Sequence, residues 1–451
     1  MKTHVKYVLL GFFFLTQLFA ANYKLGGYYR SWAQSDYPPS SIPFDQVTHI
    51  FNAFAWPEKN GDLSYEYGFT NPQLVDLAHR HGVKVLVSLG GASASYGFSD
   101  MTASDAARAK FEDNIINFVR DHHYDGIDID WEFPQDATDR INMVKLVNEL
   151  RQRLDALGQG YLLTMAVPVG NWYGQWFQFD VLKNSVDWFN AMTYDFHGSW
   201  TNHSGHNAPL YSPPPAIDNC GSADDGIKYL RYQRGIPAEK IVMGLAFYGR
   251  EFNASGLYKP STGGDRTYGY ADIAGLVGNG WIYHWDTVCK VPYLTNSAGT
   301  KLITYDDSAS IALKCQYAKN KTLAGCMIWA LGHDKIGNRQ LLLQTAAEQL
   351  NIATAIDPLI AKSIPQNFRL QTFPNPFNGT LRIRFELANQ ARVRLTVVDA
   401  EGRQVKLLAQ RAFAAGEHTL LWNAVNRASG MYFVVLRTEK SQQIKKVLLI
   451  K

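Results

Sequence analysis

Eight continuous apolar runs, spaced along the first 330 positions, limit what this chain can fold into more than any other feature. They are Tyr23–Tyr29, Val47–Phe54, Val83–Leu89, Gly126–Phe133, Tyr161–Val167, Val186–Tyr194, Ile241–Tyr248 and Gly325–Leu331. Uniformly apolar strands are buried on both faces, as in parallel sheets. Helical patterns lie between them, at Pro72–His81, Ala103–His122, Asp139–Leu157 and Gly226–Arg234. Eight strand–helix units predict an α/β fold, a (β/α)8 TIM barrel over about 21–350. A doubly wound open sheet is the alternative, but it would want a Gly-rich phosphate turn after the first strand.

The seventh and eighth runs lie too far apart for a simple crossover. Short mixed segments at about 251–305 predict a small α+β insertion that walls the barrel's C-terminal face. A linker is expected at 351–366. From 367 to 451 short alternating strands predict a small antiparallel β-sandwich: Leu381–Phe385, Val393–Val398, His418–Leu421, Met431–Leu436 and Ile444–Ile450. At the other end, Lys2 and Lys6, the apolar run from Tyr7 to Phe19 and Ala20-Ala21 read as a secretory signal over residues 1–20. The apolar run is shorter than the roughly 20 residues a span needs, and none follows it, so a soluble exported product is expected. The net charge of +4 is small and gives no reason to expect a nucleic-acid partner, although the last 95 residues alone carry about +9.

The fourth run carries the chemistry. In Asp125-Gly-Ile-Asp128-Ile-Asp130-Trp-Glu132, alternation places Ile127, Ile129 and Trp131 on one face and Asp128, Asp130 and Glu132 on the other. Acids crowded on an inward face repel one another and are desolvated, which raises at least one pKa. A raised carboxylic acid beside an ionised one suits cleavage of a glycosidic bond. Glu132, last and longest, is the best general acid. Asp130 lies about 6–7 Å back along the strand. Asp128 lies deeper, and the two aspartates are expected to hold one proton between them. Asp125 precedes a glycine and reads as a turn cap.

Asp125-x-x-Asp128-x-Asp130-x-Glu132 resembles the active-site motif of family 18 glycoside hydrolases, the chitinases. Ser88-Leu-Gly-Gly91, Met192-Thr-Tyr194-Asp195, Gly244-Leu-Ala-Phe-Tyr248-Gly-Arg250, Met327-Ile-Trp329 and Tyr305-Asp-Asp307 resemble further motifs of that family. The resemblance covers about residues 23–350 and implies a retaining mechanism in which the substrate's own N-acetyl carbonyl is the nucleophile. It implies that Glu132 is acid and then base, that Asp130 orients the acetamido N–H and that Asp128 tunes Asp130. Tyr194 would donate to the acetamido carbonyl. Asp195, Met192, Trp329, Arg250, Tyr248, Tyr28, Phe54 and Trp131 form the expected substrate-binding set. The expected activity is hydrolysis of β-1,4 links in chitin or chitooligosaccharides by a secreted monomer. Alternatives are an endo-β-N-acetylglucosaminidase acting on N-glycans or peptidoglycan, and a non-catalytic chitin lectin.

Trp32, Trp56, Trp172, Trp176 and Trp200 are further candidate sugar platforms. The 12 His show no His-x-x-x-His or His/Cys spacing, so no catalytic metal or other cofactor is expected. Cys315 and Cys326 sit in apolar surroundings and read as buried; a Cys220–Cys289 bridge is left open. In the tail, Phe373-Pro-Asn-Pro-Phe-Asn378, Val398-Asp-Ala-Glu-Gly402, Ser429-Gly-Met-Tyr432 and the terminal Lys445-Lys446-Val-Leu-Leu-Ile-Lys451 resemble C-terminal sorting domains of the type IX secretion system, which implies an immunoglobulin-like β-sandwich and that machinery as a partner. A chitin-binding module with Trp422, Tyr432 and Phe433 as its platform competes, but neighbours on a strand face opposite sides.

Overall fold

A computed structural model describes residues 23–264, 266–352, 368–387, 390–399, 403–438 and 442–450. The expected signal segment and nearly all of the expected linker lie outside them. The chain divides into two compact units, Met1–Ile356 and Asp357–Lys451.

The first unit is a closed barrel of eight parallel strands: β1 (Lys24–Arg30), β2 (His49–Pro57), β3 (Lys84–Gly90), β4 (Gly126–Asp130), β5 (Leu162–Val167), β6 (Trp188–Ala191), β7 (Ile241–Ala246) and β8 (Gly325–Trp329). Each pairs with its neighbour, and β1 pairs with both β2 and β8, which closes the ring. Side chains alternate between two apolar layers. Tyr28, Phe51, Leu86, Trp188, Val242 and Met327 fill the barrel. Val85, Val87, Ile127, Ile129 and Trp131 pack outward under the helices. Capping side chains fix where helices start. Asn71 accepts from the Leu74 N–H, Ser104 from Ala107, and Asp136 from Thr138 and Asp139.

Several strands end earlier than their apolar runs. β4 stops at Asp130, because the Asp130 carbonyl accepts from Gly91 N–H and the next free N–H, that of Glu132, donates to Ser95 Oγ at 2.9 Å. β7 stops at Ala246, and Tyr248–Phe252 opens the insertion instead. That strand pairs antiparallel with Thr267–Gly269 and Leu302–Thr304, in a five-stranded sheet completed by Val291–Asn296 and Trp281–Asp286. Tyr248 and Arg250 therefore come from the insertion, not from a barrel strand.

The second unit holds a three-stranded and a four-stranded antiparallel sheet. Its core includes Trp422 and Tyr432, whose rings meet edge to face at 5.2 Å. Both are buried, which removes the sugar platform that the competing reading needed.

Candidate active site

Parallel strands bring their C-terminal ends to one rim, and β3, β4 and β5 align the acids in depth. Asp128 sits beside Ser88 and Thr164 across the ladder, and Asp130 beside Gly90. Asp128 is fully buried. Its Oδ2 accepts from Tyr28 Oη at 2.8 Å and Ser88 Oγ at 2.8 Å; its Oδ1 accepts from Thr164 Oγ1 at 2.6 Å and Asn190 Nδ2 at 3.1 Å. Burial raises its pKa, and the four donors oppose that rise. Four donors fill both lone-pair positions on each oxygen and favour the charged form of Asp128 over that of Asp130, so the proton of the pair rests on Asp130.

Asp130 differs sharply. It is buried, its Oδ1 has no hydrogen-bond partner, and its pKa is pushed well above the usual range by burial, then by Glu132, then by Asp128. Glu132 is raised to about 7, chiefly by burial and then by the Asp195 charge, against a backbone donor at Ala92. Among the described residues, the Met327 sulfur at 4.0 Å is the one hydrogen-bond partner of Tyr194 Oη. Burial and then the charges of Asp130 and Glu132 keep its hydroxyl protonated, hence a donor.

Asp195 lies beyond β6 in a left-handed backbone conformation (φ 61°). One of its oxygens accepts from Tyr248 Oη at 2.5 Å and from Arg250 Nε at 2.8 Å and Nη2 at 2.7 Å. The Arg250 guanidinium lies over the exposed Trp200 ring, 4.8 Å from its centroid. Trp329, Phe54 and the exposed Trp32 form a run of near-parallel rings, with centroids 5.8 and 6.0 Å apart. A cleft of about 590 Å³ opens beside them, lined by Arg30, Asp36, Asp195, Tyr248, Arg250 and Trp329 among others.

Glycines let these parts approach. A Cβ on Gly90 would stand 2.4 Å from the Asp130 carbonyl oxygen, and one on Gly91 would stand 2.5 Å from the Phe54 ring; both have positive φ. The Ser88-Leu-Gly-Gly91 motif is thus a packing device, with Ser88 also holding Asp128.

Two expected contacts need correction. Trp131 is 2% exposed and stacks on Phe98 at 5.0 Å, in the layer between sheet and helices. It shares the outward face with Ile127 and Ile129 and cannot reach the cleft. Tyr28 is 1% exposed, so it positions Asp128 from below and meets Trp329 edge-on at 5.3 Å. Met192 is half-buried on the turn leading to Tyr194. Asp125 sits at the opposite end of β4, where it accepts from Val85 N–H and contacts His79. Cys220 and Cys289 are free thiols, not a bridge.

An acid held near neutrality, a buried carboxyl with an open oxygen, a phenol donor and an aromatic floor at a barrel's C-terminal rim define a glycoside hydrolase. Residues 24–334 match the profile of glycosyl hydrolases family 18. The chain belongs to that family. It is 29% identical to chitinase A1 of Niallia circulans over 434 residues, 78% of this chain and 62% of that protein's length. It is 30% identical to chitinase 1 of Aphanocladium album, over 70% of this chain and 82% of that one. The group IV chitinase of Ostrinia furnacalis in complex with allosamidin aligns with a TM-score of 0.68 at 27% identity, over 73% of this chain and 100% of that one. Residues 371–451 match the secretion system C-terminal sorting domain, which points to secretion or the cell surface. No helix among the described residues is long and apolar enough to cross a membrane.

Proposed function

We propose that this enzyme hydrolyses β-1,4 links between N-acetylglucosamine units of chitin or chitooligosaccharides, with retention, using the substrate's acetamido group as nucleophile. The observation that carries this is the open, buried Asp130 Oδ1, set between Glu132 and the region of Tyr194. An acetamido group supplies what both lack: an N–H for Asp130 and a carbonyl oxygen for the Tyr194 hydroxyl. Glu132 protonates the glycosidic oxygen as the acetamido oxygen attacks C1 and the C1–O bond breaks. The Asp130–Glu132 pair is then left with one negative charge beside the cationic oxazolinium, in a site too dry to screen it. Water attacks C1, Glu132 takes its proton, and the ring reopens with the original anomeric configuration.

The tail delivers the product outside the cell through type IX secretion machinery. The test is product analysis on chitooligosaccharides and on fully deacetylated glucosamine oligomers. Initial β products from the former and none from the latter are expected, with inhibition by a thiazoline analogue. Initial α products, or equal cleavage of deacetylated chains, refute the mechanism.

A further inference from the structure

We propose a structural zinc site formed by His197, His203, Asp218 and Cys220, separate from the acids. One ligand atom from each lies within 4.8 Å of the others. His197 Nε2 and His203 Nε2 stand 3.3 and 3.1 Å from Asp218 Oδ1, and Cys220 Sγ stands 4.0 Å from His203 Nε2. Bonds of about 2.0–2.3 Å at tetrahedral angles separate ligand atoms by roughly 3.3–3.8 Å, so small side-chain rotations close the set around one ion.

The tautomers point the same way. His197 Nδ1 lies 2.9 Å from the His206 carbonyl, which only accepts, so Nδ1 carries the hydrogen. Its Nε2 then presents a lone pair, and this atom is buried without a hydrogen bond in a residue 1% exposed. His203 Nδ1 faces Asn202 Oδ1 at 2.9 Å, an amide orientation that goes with the hydrogen on Nδ1 and a lone pair on Nε2. Such outer partners set the ring orientation at zinc sites. With Nδ1 protonated on both rings, two imidazole lone pairs face a carboxylate oxygen whose one donor among the described residues is the Cys220 N–H at 3.4 Å, and a cation turns their repulsion into coordination. Two nitrogens, one oxygen and one thiolate suit zinc. The His203 side chain is 28% exposed and gives the ion a way in.

In the nearby cluster of His206, Asp286 and Cys289 the carboxylate and the thiol already have partners, Cys289 Sγ lying 3.5 Å from Tyr258 Oη. Asp286 accepts from the Val288 and Cys289 N–H groups and faces His206 at 3.0 Å. The proposed ion would tie the outgoing leg of the loop after β6 to its returning leg, two residues from Asp195. It would hold the loop and take no part in the chemistry. The ligands span His-x5-His-x14-Asp-x-Cys, a spacing that matches no short zinc motif.

Elemental analysis of the full chain, purified without chelator, is expected to give about one zinc per chain. Cobalt exchange should produce a thiolate-to-cobalt absorption band that Cys220→Ser abolishes and Cys289→Ser keeps. A strong chelator should lower the Tm and expose one thiol to a colorimetric reagent. A chain with no zinc that takes up none when it is added overturns the proposal, as does a mapped Cys220–Cys289 disulfide. So does metal lost in Cys289→Ser but kept in Cys220→Ser. Should Cys220→Ser fail to fold, zinc content and the cobalt band of the unmodified chain decide alone.

Discussion

Replacing Asp195 with Asn should move the alkaline limb of the pH–rate profile toward acid. Glu132 must be protonated to act as the acid, and its carboxyl lies at about 7 rather than 4.5. That rise costs the ionised form about 3.4 kcal/mol, at 1.36 kcal/mol per pH unit. Burial is the larger cause and the Asp195 charge the smaller. Because the Ala92 N–H opposes both, the Asp195 charge supplies on the order of half the net rise, about 1–2 kcal/mol, or about one pH unit. The Asn keeps an oxygen for Tyr248 and Arg250, so the geometry is retained while the charge goes. Arg250, relieved of its ion-pair partner, adds a cation whose effect on Glu132 has the same sign. The assay is kcat/KM on a fluorogenic chitooligosaccharide across the pH range, which reports the free enzyme's groups. The variant will be slower overall, since Asp195 lines the cleft, but the limb's position does not depend on its height. A limb near 7 in the parent and about 6 in the variant supports the argument. A limb that stays, or moves to alkali, refutes it.

Glu132→Gln should cut kcat about 10³-fold or more while oligosaccharides still bind. It should also raise the Tm above pH 7. A folded carboxyl raised above its unfolded value costs stability once ionised, here up to about 3 kcal/mol, and the gain should fade between pH 7 and 4.5. Tyr194→Phe should lower kcat about 10²–10³-fold with binding, measured by calorimetry, changed only a few-fold. Lys314→Met should destabilise by about 3–5 kcal/mol in thermal melts, because Lys314 and Asp306 form a fully buried ion pair at 2.6 Å and the aspartate would keep the Ser310 hydroxyl but no countercharge.

The barrel was legible because its eight strands are apolar runs that no other element imitates at that spacing. The strand ends were not, because a side-chain pattern persists where the ladder has stopped. Trp131 continues the Ile127–Ile129 face, yet it lies beyond β4. The edge strand Gln404–Phe413 escaped notice for the opposite reason. Most of its side chains are exposed, and register shifts break its alternation. In the site, the acids announced themselves through an unusual pattern. Their partners did not. Thr164 in Leu162–Val167 and Asn190 in Trp188–Ala191 are single polar residues inside otherwise apolar strands, and that anomaly was the available signal. Arg30 and Asp36 enter the cleft only through the closure of β1 against β2 and β8, a contact no local pattern contains.

Asp128, Asp130 and Glu132 are three carboxyls on one strand face, and what separates them is how many donors surround each. Asp128 has four and stays charged although it is fully buried. Its charge then acts upward on Asp130, which has an empty oxygen and so pays the full cost of burial. Glu132 is nearest the rim and is raised only to about 7, where a proton can be both given and taken back. A donor placed on Asp130 Oδ1 would satisfy it in the free enzyme and remove its reason to bind the substrate amide. The open oxygen is therefore a cost to the folded chain that the substrate relieves, which ties binding to the step that follows.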